Sequence, residues 1–135
     1  MYVVIDTNVI VSAFLSSKQD VATVLVLEAL YSGKIKMVYS DEIIAEYEDV
    51  LNRDKFKLDK DEIEKFIGFV VYKGIKKESK NTGVILTDAK DQPFYDLKNV
   101  LADTILVTGN IKHFPNDKLI MLPKDFINNY IKFCE

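Results

Sequence analysis

The chain has 135 residues, of which 48% are hydrophobic and 29% charged, a balance that fits one globular domain over residues 1–135. Its formal net charge of −3 excludes a surface that is basic throughout, so any nucleic-acid contact needs a local basic patch. One cysteine, Cys134, and one histidine, His113, exclude an internal disulfide and a zinc site with several such ligands. A metal site in this chain would use oxygen ligands.

The N-terminal residues 2–5 are apolar, but no basic segment precedes them and Asp6 interrupts the run. We therefore do not expect a secretory signal. No apolar stretch reaches the length that spans a bilayer. These features predict a cytoplasmic protein without a membrane segment.

Short apolar runs rich in β-branched residues alternate with helical patterns along the chain. The runs predict strands at residues 2–5, 36–39, 84–86, 104–108 and 119–122. Helices are predicted at residues 20–31, after the N-cap Ser40, at 59–72, at 94–101 after Pro93, and from Pro123 to near residue 133. The lysine-rich segment 74–83 is predicted to be a loop. This alternation favours a parallel or mostly parallel sheet with helices on both faces.

The first predicted strand delivers polar side chains to its end. Asp6, Thr7 and Asn8 follow the apolar Val4 and Ile5. In open α/β sheets, ligands bind outside the carboxyl ends of the strands, so Asp6 is a candidate site residue. The alternative is a role in a helix N-cap or a turn, which these residue types also suit.

A second candidate acid, Glu46, lies in the amphipathic helix after Ser40. At about 100° per residue, the apolar side chains of this helix form one stripe. The stripe contains Ile43, Ile44, Tyr47, Val50 and Leu51. Glu46 falls about 40° from Val50, on the shoulder of the stripe. We expect Glu46 to lean toward the interior, and the alternative is a solvated helix acid.

Two further acids, Asp88 and Asp91, lie in a turn before Pro93. Proline favours the first turn of a helix, so Asp91 is placed at a helix start. There its carboxylate either faces a site or stabilises the helix terminus. Asp91 is the stronger candidate of the two because it leads into the helix.

The predicted strand at residues 104–108 repeats the pattern of the first. Asp103 precedes it, and Thr108, Gly109 and Asn110 end it. If the two strands are neighbours, their threonine and asparagine side chains form one polar floor. The alternative is an ordinary loop in which Gly109 supplies turn freedom.

Grouped carboxylates require a counterion. Two of them at about 4 Å repel by roughly 4 kcal/mol at an effective dielectric constant of about 20. Without a cation, one carboxylate would stay protonated because its neighbour raises its pKa. Hard oxygen ligands select Mg²⁺ or Mn²⁺, and such an ion can activate water and stabilise charge on a phosphate.

Taken together, these segments resemble the PIN-domain ribonucleases, in particular the toxin components of toxin–antitoxin pairs, over nearly the whole chain. The matching motifs are Val4-Ile5-Asp6-Thr7-Asn8-Val9, Ser40 through Leu51 with Glu46-Tyr47, Asp88-Ala89-Lys90-Asp91-Gln92-Pro93-Phe94, and Ala102-Asp103-Thr104-Ile105-Leu106-Val107-Thr108-Gly109-Asn110 followed by His113-Phe114-Pro115. The four motifs are specific together, whereas the first alone is weak.

This resemblance implies an α/β three-layer sandwich with a five-stranded parallel sheet in the order 3-2-1-4-5. It implies an endoribonuclease that requires Mg²⁺ or Mn²⁺, with RNA as substrate, a homodimeric assembly and a tightly bound antitoxin protein. Asp6, Glu46 and Asp91 would ligate the metal and position the attacking water. Asn110 would ligate it directly or through water.

The same resemblance assigns supporting roles to Thr7, Asn8 and Thr108, which would hold the ligands by hydrogen bonds. Many members carry aspartate where this chain has Asn110, which keeps an oxygen ligand but removes a charge. Either Asp103 supplies the missing charge, or the site binds one metal ion in place of two.

Basic residues offer contacts for the phosphates of RNA. The candidates are Arg53, Lys73, Lys76, Lys77, Lys90, Lys112 and His113. For the lysine-rich segment the alternative is a solvated loop. For His113 the alternative is packing beside Phe114 and Pro115.

Three other functions compete with the nuclease. An aspartate-nucleophile phosphatase would carry Asp-x-Asp after the first strand, and Asn8 occupies the second aspartate position. The spacing of the acids fits a phosphate-receiver domain poorly. A PIN-like scaffold that binds RNA or a partner without cutting is favoured by Asn110.

Overall fold

Five parallel strands form one sheet in the order β3-β2-β1-β4-β5, as the resemblance implied. The computed structural model describes residues 1–18 and 21–132. The strands are β1 (Tyr2–Ile5), β2 (Lys36–Tyr39), β3 (Ile75–Lys76), β4 (Ile105–Val107) and β5 (Ile120–Met121). Apart from the exposed Tyr2, the side chains of the central strands β1 and β4 are buried, which is why these strands read as continuous apolar runs.

Helices flank the sheet and connect its strands. They are α1 (Thr7–Leu15), α2 (Ala22–Tyr31), α3 (Asp41–Leu51), α4 (Lys60–Lys73), α5 (Gln92–Lys98) and α6 (Pro123–Phe126), which continues as a π-helical turn (Ile127–Ile131). Short 3₁₀ turns occur at Asp54–Phe56 and Ile111–His113. Within the described ranges, none of these helices combines the length and apolar character needed to cross a bilayer.

The predicted helix starts agree with the structure to within two residues. Ser40 caps α3 by accepting a hydrogen bond from the Ile43 N–H at 3.2 Å, and Asp59 caps α4 by accepting one from the Asp61 N–H at 2.8 Å. The first residues predicted for α2 fall partly outside the described range, as does the predicted end near residue 133. Helix α1 was not among the predicted helices.

The prediction of the third strand was wrong. We placed it at residues 84–86 and expected a loop at 74–83, whereas β3 is Ile75–Lys76. The side-chain amide of Gln92 satisfies the backbone of residues 84–86 instead. It accepts a hydrogen bond from the Leu86 N–H and donates one to the Val84 carbonyl, both at 2.8 Å. A strand pairing is therefore not needed there.

Strand β3 follows α4 through Gly74, where the backbone is tightly packed. A Cβ atom at Gly74 would lie 2.5 Å from the Val70 carbonyl oxygen and 2.8 Å from that of Met37. Only glycine fits such an approach. The close contact brings the chain alongside β2 immediately after the helix.

Tyr47 joins α3 to the end of β1. Its fully buried hydroxyl donates a hydrogen bond to the carbonyl of Ile5 and lies 3.8 Å from the Met37 sulfur. Burial raises the pKa of Tyr47 well above its ordinary value, and the nearby Asp6 charge adds to the rise. The tyrosine thus belongs to the core, as predicted, and it fixes the helix that carries Glu46 against the strand that carries Asp6.

Candidate metal centre

The carboxyl ends of β1 and β4 meet at one point of the sheet edge. Ile5 pairs with Val107, and the Asp6 N–H donates a hydrogen bond to the Val107 carbonyl at 2.9 Å. The next residues, Asp6 and Thr108, therefore lie side by side. The predicted neighbourhood of the two strands is confirmed.

Asp6 is buried, with 5% of its surface exposed, and two side chains hold its carboxylate. Its Oδ2 atom accepts hydrogen bonds from the Thr108 hydroxyl at 2.8 Å and from the Asn8 amide at 3.2 Å. Asp6 occupies the N-cap position of α1 but its side chain makes no capping hydrogen bond. The capping alternative is thus excluded, and the carboxylate is directed to the sheet edge.

A chain of hydrogen bonds continues from Asn8 into the loop after β4. The Asn8 Oδ1 atom accepts the Gly109 N–H at 2.9 Å, and the Asn110 N–H donates to the Thr108 hydroxyl at 3.0 Å. A Cβ atom at Gly109 would lie 3.1 Å from Asn8 Oδ1, so this loop packs tightly on Asn8. The polar floor is therefore a connected network.

A second cluster forms around Asp91 at the start of α5. Asp88, Asp91 and His113 each offer a ligand atom, and these atoms all lie within 4.8 Å of one another. His113 Nδ1 is 3.0 Å from Asp91 Oδ2. The turn is held by the Lys90 N–H, which donates to Asp88 Oδ1 at 2.9 Å. Asp91 is buried, whereas Asp88 and His113 are exposed.

The electrostatics join Asp91 to Asp6. Burial raises the pKa of Asp6, and the negative charge of Asp91 raises it further against the lowering by its hydrogen bonds. Burial also raises the pKa of Asp91, where the hydrogen bond from His113 opposes it and the Asp88 charge adds to it. Over the described ranges, no lysine or arginine forms an ion pair with any of these three carboxylates.

This donor set fits a divalent cation. Two buried carboxylates with raised pKa values lie near each other without a protein cation, so an external cation would relieve both burial and repulsion. Carboxylate oxygens are the ligands that hard divalent ions prefer. Asp88, Asp91 and His113 form the compact ligand group that would hold the ion. Asp6 lies outside that group, and its charge is coupled to that of Asp91.

Glu46 lies close to this edge but outside the compact group. It is half-buried on α3, as the helical pattern predicted, and it lines a cavity together with Thr7 and Asn8. The ligand group whose atoms lie within 4.8 Å of one another does not include it. The Glu46 side chain therefore lines the cavity next to the acids.

Asn110 and Asp103 lie at opposite ends of β4. Asn110 is exposed beside Thr108, at the edge that carries Asp6. Asp103 is exposed with a φ of 63°, and it precedes the strand. Five residues of extended chain, about 16 Å, separate Asp103 from Thr108. Of the two alternatives for the charge missing at Asn110, its supply by Asp103 is therefore not supported, because the strand carries Asp103 to the far edge.

The basic candidates divide in the same way. Arg53 and Lys90 line the cavity beside Glu46, and Lys112 is exposed next to His113. These three cations lie near the acids. Lys76 ends β3 at the same carboxyl edge, but two strands away from β1.

The other basic candidates, Lys73, Lys76 and Lys77, lie on and next to β3. Lys73 lines a cavity with Lys36 at the start of β2, about 13 Å of strand away from the acidic edge. Lys76 forms an ion pair with Asp41 at 3.2 Å, and the Lys77 N–H bonds the Tyr39 carbonyl at 2.8 Å. The two basic patches are thus not equivalent, and Lys73 is placed wrongly for a phosphate at the acids.

Sequence reasoning underestimated Asp88 and His113 as members of the acidic cluster. Asp88 belongs to the motif that contains Asp91, and its spacing of three residues across a turn was the available signal. His113 reaches Asp91 across 22 residues, and no local pattern announces such a contact. The packing interpretation of His113 was therefore incomplete.

A parallel α/β sheet with buried acids at its carboxyl edge defines a domain suited to metal-dependent chemistry. A family model described as PIN domain matches residues 2–112, and the chain therefore belongs to the PIN-domain family. PIN domains are typically metal-dependent nucleases. No curated protein and no solved structure matches the chain.

Proposed function

We propose that this protein is a divalent-metal-dependent endoribonuclease that hydrolyses RNA phosphodiester bonds. The observation that carries the proposal is the burial of two acids, Asp6 and Asp91, at one edge of the sheet, where no lysine or arginine within the described ranges pairs with them and the Asp91 charge raises the pKa of Asp6. Membership of the PIN-domain family supports the same chemistry.

In this proposal Asp6, Asp88 and Asp91 hold Mg²⁺ or Mn²⁺, with Glu46 and Asn110 completing the coordination directly or through water. A bound ion would supply an activated water and would stabilise the charge that builds on the phosphate. Asn8 and Thr108 keep the Asp6 carboxylate oriented through their hydrogen bonds. Thr7 lines the same cavity as Glu46, and its buried hydroxyl has no hydrogen-bond partner within the described ranges.

The test is cleavage of single-stranded RNA by the purified protein with Mn²⁺, with Mg²⁺ and with a chelator. We expect cleavage with either ion and none with the chelator. Asp6→Asn should reduce the rate by about 10³-fold, because several kcal/mol of charge stabilisation depend on the bound ion. The matched control is Asp103→Asn, the same chemical change at the opposite edge, which should cleave like the parent. Equal rates for Asp6→Asn and the parent would refute the proposal.

A second candidate function is a PIN-like scaffold that binds RNA or a partner without cutting. The neutral Asn110 and the position of Glu46 outside the compact acid group favour it. Calorimetric titration with Mn²⁺ distinguishes the two functions. A site that binds no Mn²⁺ at millimolar concentration would favour the scaffold.

We further propose that the nuclease is the toxin of a toxin–antitoxin pair and forms a cytoplasmic homodimer. PIN domains often pair with antitoxins, and exposed apolar side chains such as Tyr72 and Ile85 offer surface for a protein partner. A neighbouring reading frame for a small DNA-binding protein that copurifies with this chain would support the role. Light scattering of the purified chain measures the dimer.

A further inference from the structure

A cavity of about 620 Å³ opens beside the acidic edge, between α1, α3 and the 3₁₀ turn at Asp54–Phe56. We propose that it binds a nucleobase of single-stranded RNA next to the cleaved phosphate, with Phe56 as the stacking surface and Arg53 and Lys90 as phosphate contacts. This inference rests on the proposed ribonuclease function and names the subsite through which that function recognises its substrate.

The cavity lies beside the acidic edge of the sheet. The cavity is lined by Thr7 and Asn8, which adjoin the Asp6 carboxylate, and by Glu46. Its volume lies within the range of about 300–1,000 Å³ that is usual for small-molecule sites. A nucleotide held there would place its phosphate near the acids. Within residues 1–18 and 21–132, the cavity lined by Phe94 and the one lined by Tyr31 and Phe69 do not combine these properties.

Charge is the second argument. The cavity lining contains two cations, Arg53 and Lys90, against one acid, Glu46, and Arg53 also forms an exposed ion pair with Asp49 at 3.2 Å. A neighbouring cavity of about 410 Å³ contains Glu42, Glu46 and Asp49 against Lys90 alone, so it would repel a phosphate. RNA approaching the acidic edge is therefore directed to the first cavity.

Phe56 supplies the third argument. It is half-buried in the cavity wall, and its turn is closed by hydrogen bonds from the Phe56 N–H to the Arg53 carbonyl at 3.1 Å and from the Lys57 N–H to the Asp54 carbonyl at 3.2 Å. Lys57 ends the turn with a φ of 51°. These bonds hold the backbone that carries the ring beside Arg53. Lys55 Nζ lies 5.1 Å from the ring centroid, so a base would stack on the other face. An aromatic face next to a cation is the usual platform for an unpaired base.

A third cavity, of about 370 Å³, has similar components and serves as a comparison. It contains Lys36 and Lys73 together with Tyr31 and Phe69, but it lies at the start of β2, at the opposite edge of the sheet. A base bound there could not deliver its phosphate to Asp6. Both cavities contain cations and aromatic side chains. The first cavity differs because it lies next to the acids.

The experiment measures the affinity of short single-stranded RNA oligonucleotides by fluorescence anisotropy in an Asp6→Asn background, so that the strand stays intact. Phe56→Ala should weaken binding about tenfold, the loss of one stacked base. Phe56→Tyr should bind like the background protein. Phe56→Leu retains apolar volume but loses the aromatic face, so it should behave like Phe56→Ala and guards against a folding defect.

The matched control is Tyr72→Ala. Both rings have a lysine over them, with Lys55 Nζ at 5.1 Å from the Phe56 centroid and Lys73 Nζ at 5.2 Å from the Tyr72 centroid. Tyr72 is far from the acids, so its removal should leave the affinity unchanged. Equal losses in the two variants, unchanged affinity in Phe56→Ala, or no RNA binding by the background protein would each overturn the subsite.

Cleavage by the chain without these substitutions separates this inference from the proposed function. If that chain cleaves RNA with Mn²⁺ and Phe56→Ala has unchanged affinity, only the subsite is wrong. If it does not cleave, the nuclease proposal fails, whereas the affinity series still tests the subsite. Unchanged RNA affinity together with lost capture of a copurifying protein would assign the cavity to a protein partner and overturn the proposal.

Discussion

Two acids at opposite edges of the sheet differ in whether the protein supplies a counterion. Before β5, Asp117 forms an ion pair with Lys98 at 3.2 Å, and Lys98 is only 5% exposed. Burial alone would raise the pKa of Asp117, but the Leu119 N–H and the Lys98 ammonium outweigh it and lower that pKa. At the carboxyl edge, the pKa of Asp6 is raised.

The opposite shifts in the pKa values of Asp117 and Asp6 indicate different roles for the two acids. Lys98 and the half-buried Asp117 neutralise each other, so the buried Lys98 needs no external ligand. His113 Nδ1 lies 3.0 Å from Asp91 Oδ2, whereas Asp6 has hydrogen bonds from neutral groups alone. Neither acid has a lysine or arginine partner within the described ranges. The carboxyl edge is therefore destabilised in the ion-free protein, and a bound cation would remove that destabilisation.

The largest expected effect on stability comes from breaking the compensated pair. Asp117→Asn leaves the buried Lys98 without its counterion, and we expect the free energy of unfolding to fall by about 3 kcal/mol. Urea denaturation measures it. Replacing both partners with apolar residues, Lys98→Met with Asp117→Leu, should recover most of the loss. An unchanged unfolding midpoint in Asp117→Asn would show that Lys98 has another source of neutralisation.

The next effect concerns the uncompensated site. Mn²⁺ at about a hundredfold excess over its dissociation constant should stabilise the parent protein by about 2.7 kcal/mol, because only the folded state brings the acids together. Thermal unfolding with and without Mn²⁺ measures this shift. Asp103→Asn should respond like the parent, and Asp6→Asn should lose most of the response. The same shift in Asp6→Asn would place the ion elsewhere.

The smallest effect is the pH dependence of the ion-free protein. The folded pKa of Asp6 is raised above its ordinary value of 3.8, so the folded state binds this proton more tightly than the unfolded state. The associated stability is present below the unfolded pKa and is lost as the pH rises through the folded pKa. We expect Asp6→Asn to be about 1 kcal/mol more stable than the ion-free parent at neutral pH.

Chemical denaturation over a pH series, with a chelator present, compares the two proteins. The stability gain of Asp6→Asn should appear only above the unfolded pKa of aspartate. Asp117 has the opposite sign, because its lowered pKa gives stability that is lost as the pH falls through the folded value. A gain for Asp6→Asn that is constant with pH would mean that ionisation of Asp6 is not its cause.

The sequence predicted the parts of the site that depend on local pattern. Val4 and Ile5 before Asp6, and the apolar run before Thr108, indicated two buried strands with polar ends. The inward lean of Glu46 followed from helical periodicity. The distance between Glu46 and the other acids could not be predicted, because it depends on how α3 packs.

Other parts were hidden for identifiable reasons. Strand β3 has two residues, too few to show a period, whereas residues 84–86 are apolar but are held by the Gln92 side chain. The pairing of His113 with Asp91 depends on tertiary structure. The strand error came from a two-residue strand and from contacts 6 and 8 residues along the chain, and the histidine error came from a contact across 22 residues.

The register between β1 and β4 sets the relative positions of the side chains that follow these two strands. Val3, Val4 and Ile5 pair with Ile105, Leu106 and Val107, and this alignment alone sets Thr108 opposite Asp6. A slip of one residue would reverse the facing of every side chain on the displaced strand. Two apolar segments outside the site therefore fix its geometry. The connecting loops can change length without changing that geometry.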